Sequence, residues 1–103
     1  MPVKKRVRPL MNPALQALKD RLAKEWRQPT SAPQPVILEE GGTPNQPLHI
    51  YVVWDEWATL AQVDRSDVIM DAYEEVHGQD DAINVTVAMG LTTAEADRMG
   101  IAY

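Results

Sequence analysis

The sequence predicts an α+β fold, a single small domain with elements in the order α-β-β-α-β-α. Three observations carry this expectation. A length of 103 residues suits one domain and one modest core. Apolar residues follow helical spacing in some stretches and strand spacing in others. A helix lies between the second and third strands, and such crossovers are right-handed and join parallel strands. The sheet is therefore expected to be three-stranded and mixed, with its helices on one face.

Residues 1–11 read as a disordered basic arm. Lys4, Lys5, Arg6 and Arg8 repel one another, and Pro2 and Pro9 resist helix. The rest, 12–103, reads as the domain. Asn12-Pro13 is a helix start, with Asn as N-cap and Pro where its missing N–H costs nothing. Leu15, Leu18, Leu22 and Trp26 make one apolar stripe, so an amphipathic helix is expected over 13–27 and stops at Pro29. Residues 28–35 form a Pro-rich connector, semi-extended and poor at burying surface. The core is expected over 36–103.

Val36 to Glu40 is a short strand. Gly41 to Pro47 is turn chemistry, so the next strand returns antiparallel. Leu48 to Trp54 is apolar on both faces, as a central strand should be. Asp55 to Val63 is either loop or an irregular helical turn. Asp64-Arg65-Ser66-Asp67 resembles a helix cap. Val68, Ile69, Ala72, Tyr73 and Val76 continue as an apolar stripe up to Gly78, a natural C-terminal stop. Ile83, Val85, Val87 and Met89 alternate with smaller or polar residues, which reads as a half-buried strand broken by Gly90. Thr92 to Glu95 is a capping box that opens a last short helix, ended by Gly100.

The formal net charge of −5 hides a division. Residues 1–27 carry eight basic and two acidic groups, hence +6; residues 28–103 carry two basic and thirteen acidic groups, hence −11. All eight prolines lie at or before Pro47. Zero cysteine excludes disulfides, thiolate metal sites and a cysteine nucleophile. No apolar run approaches the ~20 residues of a membrane helix, and the basic start lacks the apolar stretch of a secretory signal. The cytoplasm is the default location.

From its second strand onward the chain resembles the BolA-like family, small α/β proteins whose topology is related to type II KH domains. The resembling segment is 36–97. His49-Ile50-Tyr51-Val52-Val53 looks like the family's second strand. Trp57 and the loop to Arg65 look like its approach to the next helix, and Thr92 to Glu95 like its last helix cap. The resemblance implies binding to a monothiol glutaredoxin and a shared iron–sulfur cluster. The family has a histidine directly after the Arg and another opening the last strand. Ser66 and Asn84 stand there in this chain. The first hairpin loop of the family supplies Cys or His, and Gly41 to Pro47 supplies neither.

No catalytic constellation is expected. The two histidines, His49 and His77, have no metal-ligand spacing, so neither a metal nor a cofactor is expected. Asp67, Asp71 and Glu74 share an acidic helix flank, which is a solvated face or a docking surface for something basic. Trp57 packs in the core or anchors an interface. Arg21 and Lys24 on the first helix complement the acidic flank. Trp57, Asp67, Asp71, Glu74, Arg21 and Lys24 are therefore the candidate interaction residues. The expected function is a small non-enzymatic binding or regulatory module acting through protein contacts, with a homodimer possible. The alternatives are nucleic-acid association through Lys4, Lys5, Arg6 and Arg8, and a BolA-like role. A G-X-X-G nucleotide clamp is absent and the acidic remainder repels phosphate, so nucleic acid is the weaker partner.

Overall fold

The structure is a computed structural model that describes residues 12–43 and 46–103. The expected basic arm, 1–11, and part of the expected hairpin turn lie outside the described residues. The first helix, α1 (Pro13–Arg27), starts where the sequence places it: the Asn12 side chain accepts the Leu15 N–H at 2.9 Å. After the connector come β1 (Val36–Glu40) and β2 (Leu48–Val53), paired antiparallel. A 3₁₀ turn at Asp55–Thr59 resolves the ambiguous stretch. Then follow α2 (Gln62–His77), a one-turn α3 (Gln79–Ala82), β3 (Val85–Leu91) and α4 (Thr93–Met99). β3 lies parallel to β2, and the sheet order is β1-β2-β3 with β2 central.

The main core lies between one sheet face and the two long helices. Leu22 and Ala23 of α1 meet Ile50 and Val52 of β2 and Val68, Ile69, Ala72 and Tyr73 of α2. Helix α1 thus packs on its own domain. Trp54 and Trp57 join this core edge to face, 5.1 Å apart. The expectation of helices on one face holds for α1 and α2. It fails for α4, which packs Ala96 against Val53 and Leu91 on the opposite face. The reason is that Leu91 ends β3 on that face, and α4 starts only two residues later.

Two boundaries move. Helix α2 begins at Gln62 with Ala61 as an N-cap that makes no side-chain bond, ahead of the expected Asp64 cap. Strand β3 runs from Val85 to Leu91 instead of 83–89. Ile83 and Asn84 instead finish the turn of α3, donating their N–H groups to Gln79 and Asp81 carbonyls. The alternation expected along β3 is also interrupted, because the register slips between Leu48 and His49. Leu48 pairs with Val85, but His49 pairs with Val87. Val85 consequently joins the main core, while Met89 and Leu91 reach the other side. The second face then carries an in-register row of Leu38, Tyr51 and Met89, each half-buried.

Gly90 continues the strand instead of breaking it. Its amide donates to the Gln62 side-chain oxygen at 3.0 Å, and its carbonyl accepts from the Gln62 side-chain nitrogen at 2.9 Å. Gln62 therefore acts as a one-residue neighbouring strand. Ser66 Oγ donates to the Ala88 carbonyl at 2.7 Å along the same edge. The first turns of α2 thus cover the outer edge of β3 at Ala88 and Gly90.

Candidate interaction surface

The expected interaction residues do not form one surface. Trp57 is fully buried, and its Nε1–H donates to the Val52 carbonyl at 3.1 Å. It is a core residue and not an interface anchor, because the turn at Asp55–Thr59 folds its indole under the sheet. Asp67 is exposed on α2, whereas Asp71 and Glu74 are half-buried and already engaged. Lys24 is exposed on α1. Arg21 stacks its guanidinium over Trp54, 5.0 Å from the ring centroid, and comes within 3.8 Å of Glu56.

The attraction between basic and acidic segments operates within the chain. Lys19 bonds Glu75 at 2.7 Å and Asp20 at 2.8 Å, and Arg27 approaches Glu75 at 3.5 Å. The bonds to Asp20 and then to Glu75 hold the Lys19 pKa above its usual value. Pairs of this exposed kind contribute about 0–1 kcal/mol each. They do orient α1 across α2, beside the apolar contacts that supply most of the hold.

Two polar clusters fasten α4. Arg65, nearly buried, donates Nε–H to the Leu60 carbonyl at 3.0 Å. Its Nη1 reaches the Gly90 carbonyl at 3.1 Å and Glu95 at 2.7 Å. Glu95 also accepts the Thr92 N–H at 2.8 Å, closing the capping box. That amide, then the Arg65 guanidinium, lowers the Glu95 pKa to about 2. Asp55 accepts the Thr93 N–H at 2.9 Å and the Gln34 side-chain N–H at 3.0 Å, and these donors pull its pKa down as well. Gln34 also accepts the Asp55 N–H at 2.9 Å, which ties the connector to the 3₁₀ turn. Every carboxylate with a moved pKa is lowered by structural donors.

The connector expected to bury little becomes a wall. Together with the end of α1 and β1 it encloses a shallow groove of about 440 Å³. Trp26, Pro29, Pro33 and Ile37 line it, and Glu25 and Glu39 stand at its rim. Trp26 is held in place by its Nε1–H bond to Glu39 at 3.0 Å and by edge contact with Tyr73, 5.5 Å between centroids. Glu25 accepts the Thr30 N–H at 2.9 Å, which folds the connector back over α1. Among the described residues, no backbone bond reaches β1 from its outer side. A second, more polar hollow of about 390 Å³ lies between Arg21, Trp54, Asp55 and Glu56.

The sequence pointed to neither the groove nor the open β1 edge. The signal available was the coincidence of Trp26, three prolines at 29, 33 and 35, and a strand that starts directly after Pro35. Ser66, at a position where the BolA-like resemblance would have a histidine, spends its hydroxyl on Ala88, and Asn84 lies in the turn before β3. These residues do not fit cluster ligation. Among the described residues no group of three or more His, Asp or Glu is arranged to hold a metal ion, and no helix is long and apolar enough to cross a membrane. No family model matches the chain, and neither a curated protein nor a solved structure matches it.

Proposed function

We propose that this chain is a small non-catalytic binding module that works through protein contacts, and that its contact surface is the groove beside β1. One observation carries the reading: a groove lined by Trp26 and prolines, with Glu25 and Glu39 beside them, runs along a strand edge that has no backbone partner among the described residues. A strand edge offers main-chain hydrogen bonds, and an adjoining groove offers side-chain selectivity. The non-catalytic part of the proposal is supported by the carboxylates. Acid catalysis calls for a carboxyl held protonated by a raised pKa, and the shifts at Asp20, Asp55 and Glu95 all run the other way. A cytoplasmic location belongs to the same proposal.

The test is capture of partners from native cell lysate by the full chain and by two charge-inserting variants. Ala32 is exposed and lines the groove, and Asp67 is exposed on α2. Capture that Ala32→Arg abolishes and Asp67→Arg leaves intact supports the groove. Capture lost with Asp67→Arg and kept with Ala32→Arg refutes it. Circular dichroism of both variants guards against misfolding.

The BolA-like alternative rests on element order and the residues of the resemblance alone. The self-association alternative loses its charge argument, since Lys19, Arg21 and Arg27 spend their charge inside the chain. Nucleic-acid association concerns Lys4, Lys5, Arg6 and Arg8, outside the described residues.

A further inference from the structure

Resting on that reading of the groove, we infer that its occupant is a basic, extended segment of a partner protein, added as a fourth strand along β1. Three observations converge on this chemistry. The first is which edge is open. The far end of β3 is closed by Gln62 and Ser66, whereas β1 is paired only with β2 among the described residues. An incoming strand therefore finds its donors and acceptors at β1.

The second is charge. Glu25 and Glu39 stand at the groove rim, and Glu40 ends the strand. Among the described residues none of these three has a Lys or Arg partner, while Asp20, Glu56, Glu75 and Glu95 each have one. Glu25 and Glu39 accept, among the described residues, only neutral N–H and O–H donors. Their negative charge is thus held in position, without a cationic partner among the described residues, beside the Trp26 ring. Lys or Arg side chains from an added strand would meet carboxylates and lay their aliphatic stems on Trp26 and the prolines.

The third is shape. Prolines at 29, 33 and 35 cannot themselves donate, so the wall is apolar and selects side chains instead of competing for the strand's backbone. A second copy of β1 is a poorer occupant. Pairing antiparallel about Leu38 would set Glu40 against Val36 and Glu39 against Ile37, and pairing parallel would set the glutamates near one another.

The experiment uses the full chain, labelled with ¹⁵N, and three N-acetylated eight-residue peptides. Each alternates Val with Lys, with Ser or with Glu. The Lys peptide should shift the amides of Val36–Glu40 and the Trp26 indole. It should bind at least fivefold more tightly than the Ser peptide, and the Glu peptide should not bind. Glu39→Gln keeps an oxygen for Trp26 and should weaken the Lys peptide roughly two- to fivefold, as should Glu40→Gln. Equal binding of the Ser peptide at the same amides overturns the basic partner and leaves the groove reading standing. No shift along β1 with any peptide overturns both. Shifts along β1 caused by changing Lys4, Lys5, Arg6 and Arg8 to Gln make the chain's own arm the occupant, and that overturns a partner segment. Concentration-dependent shifts along β1 with a doubled mass make it a second copy and overturn the proposal likewise.

Discussion

Gly90→Ala tests the packing at the centre of the molecule. A β-carbon at Gly90 would lie 2.8 Å from the Arg65 Cβ and 3.0 Å from two atoms of the Trp57 indole. Neither neighbour yields easily. Arg65 Cβ sits directly on the α2 backbone, and its guanidinium is fixed by Leu60, Gly90 and Glu95. The indole is buried and tethered to the Val52 carbonyl. Overpacking of this kind costs about 1–3 kcal/mol. Replacing glycine restricts the unfolded chain and returns about 0.4–1 kcal/mol. A net loss of about 1–2 kcal/mol should lower Tm by roughly 5–15 °C in a domain of this size. Urea and thermal melts followed by circular dichroism read the effect. The contact predicts more than the loss itself. In a Trp57→Phe background, with the crowded indole atoms gone, the cost of Gly90→Ala should shrink by at least half a kcal/mol. The contact with Arg65 Cβ remains, so the cost should not vanish. A neutral Gly90→Ala, or strict additivity with Trp57→Phe, refutes the close approach of β3 to α2.

Two further outcomes follow from named bonds. The Glu95 pKa of about 2, below its ordinary 4.5, corresponds to at most about 3 kcal/mol, and its one-third exposure reduces this to roughly 1–2 kcal/mol. Because the folded pKa is depressed, that stabilisation is complete above pH ~4.5 and is lost as pH falls toward 2. Glu95→Gln should therefore be less stable than the parent at pH 7 and indistinguishable near pH 2. A difference that does not change with pH across urea melts contradicts the Arg65 and Thr92 contacts. Asn12→Ala removes the acceptor of the Leu15 N–H and should cost about 1 kcal/mol. Faster hydrogen exchange confined to the first turn of α1 is the expected signature, and unchanged exchange there rules out the cap.

Local signals in the sequence were sufficient where structure is decided locally. The Asn12 cap and the Thr92–Glu95 capping box each act within four residues, and both appear as expected. The central position of β2 followed from its being apolar on both faces. What escaped the sequence was decided at long range. Gln62 opens α2 because it serves the edge of β3, 28 residues away, so no cap was written at Ala61. The slip opposite Thr86 changes which face Val87 and Met89 occupy, and simple alternation cannot register it. Trp57 read as either core or anchor because its neighbours Asp55 and Glu56 are polar; a 3₁₀ turn lets those two stay exposed while the indole goes inward. The groove was hidden for a similar reason. A Pro-rich stretch buries little by itself, but here the Thr30–Glu25 and Gln34–Asp55 bonds press it against α1 and the start of the 3₁₀ turn.

The charge division takes on a different meaning once the pairs are located. A +6 segment joined to a −11 segment suggests a molecule seeking partners at both ends. Much of the positive charge on α1 is instead consumed at home, by Glu75, Asp20 and Glu56. Those pairs, beside the apolar contacts of Leu22 and Ala23, hold α1 across α2, and Pro29 follows its C-cap at Gln28. The end of α1 then dictates the path of the connector, which must leave Arg27 and reach Val36 at the edge of the sheet. With α1 held there, the Thr30–Glu25 and Gln34–Asp55 bonds fold the connector into the groove wall, which leaves Glu25 and Glu39 lining the groove and Glu40 next along the strand. In the proposal made above, the basic helix is the scaffold of the docking groove, and its charges act through geometry instead of through direct attraction of a ligand.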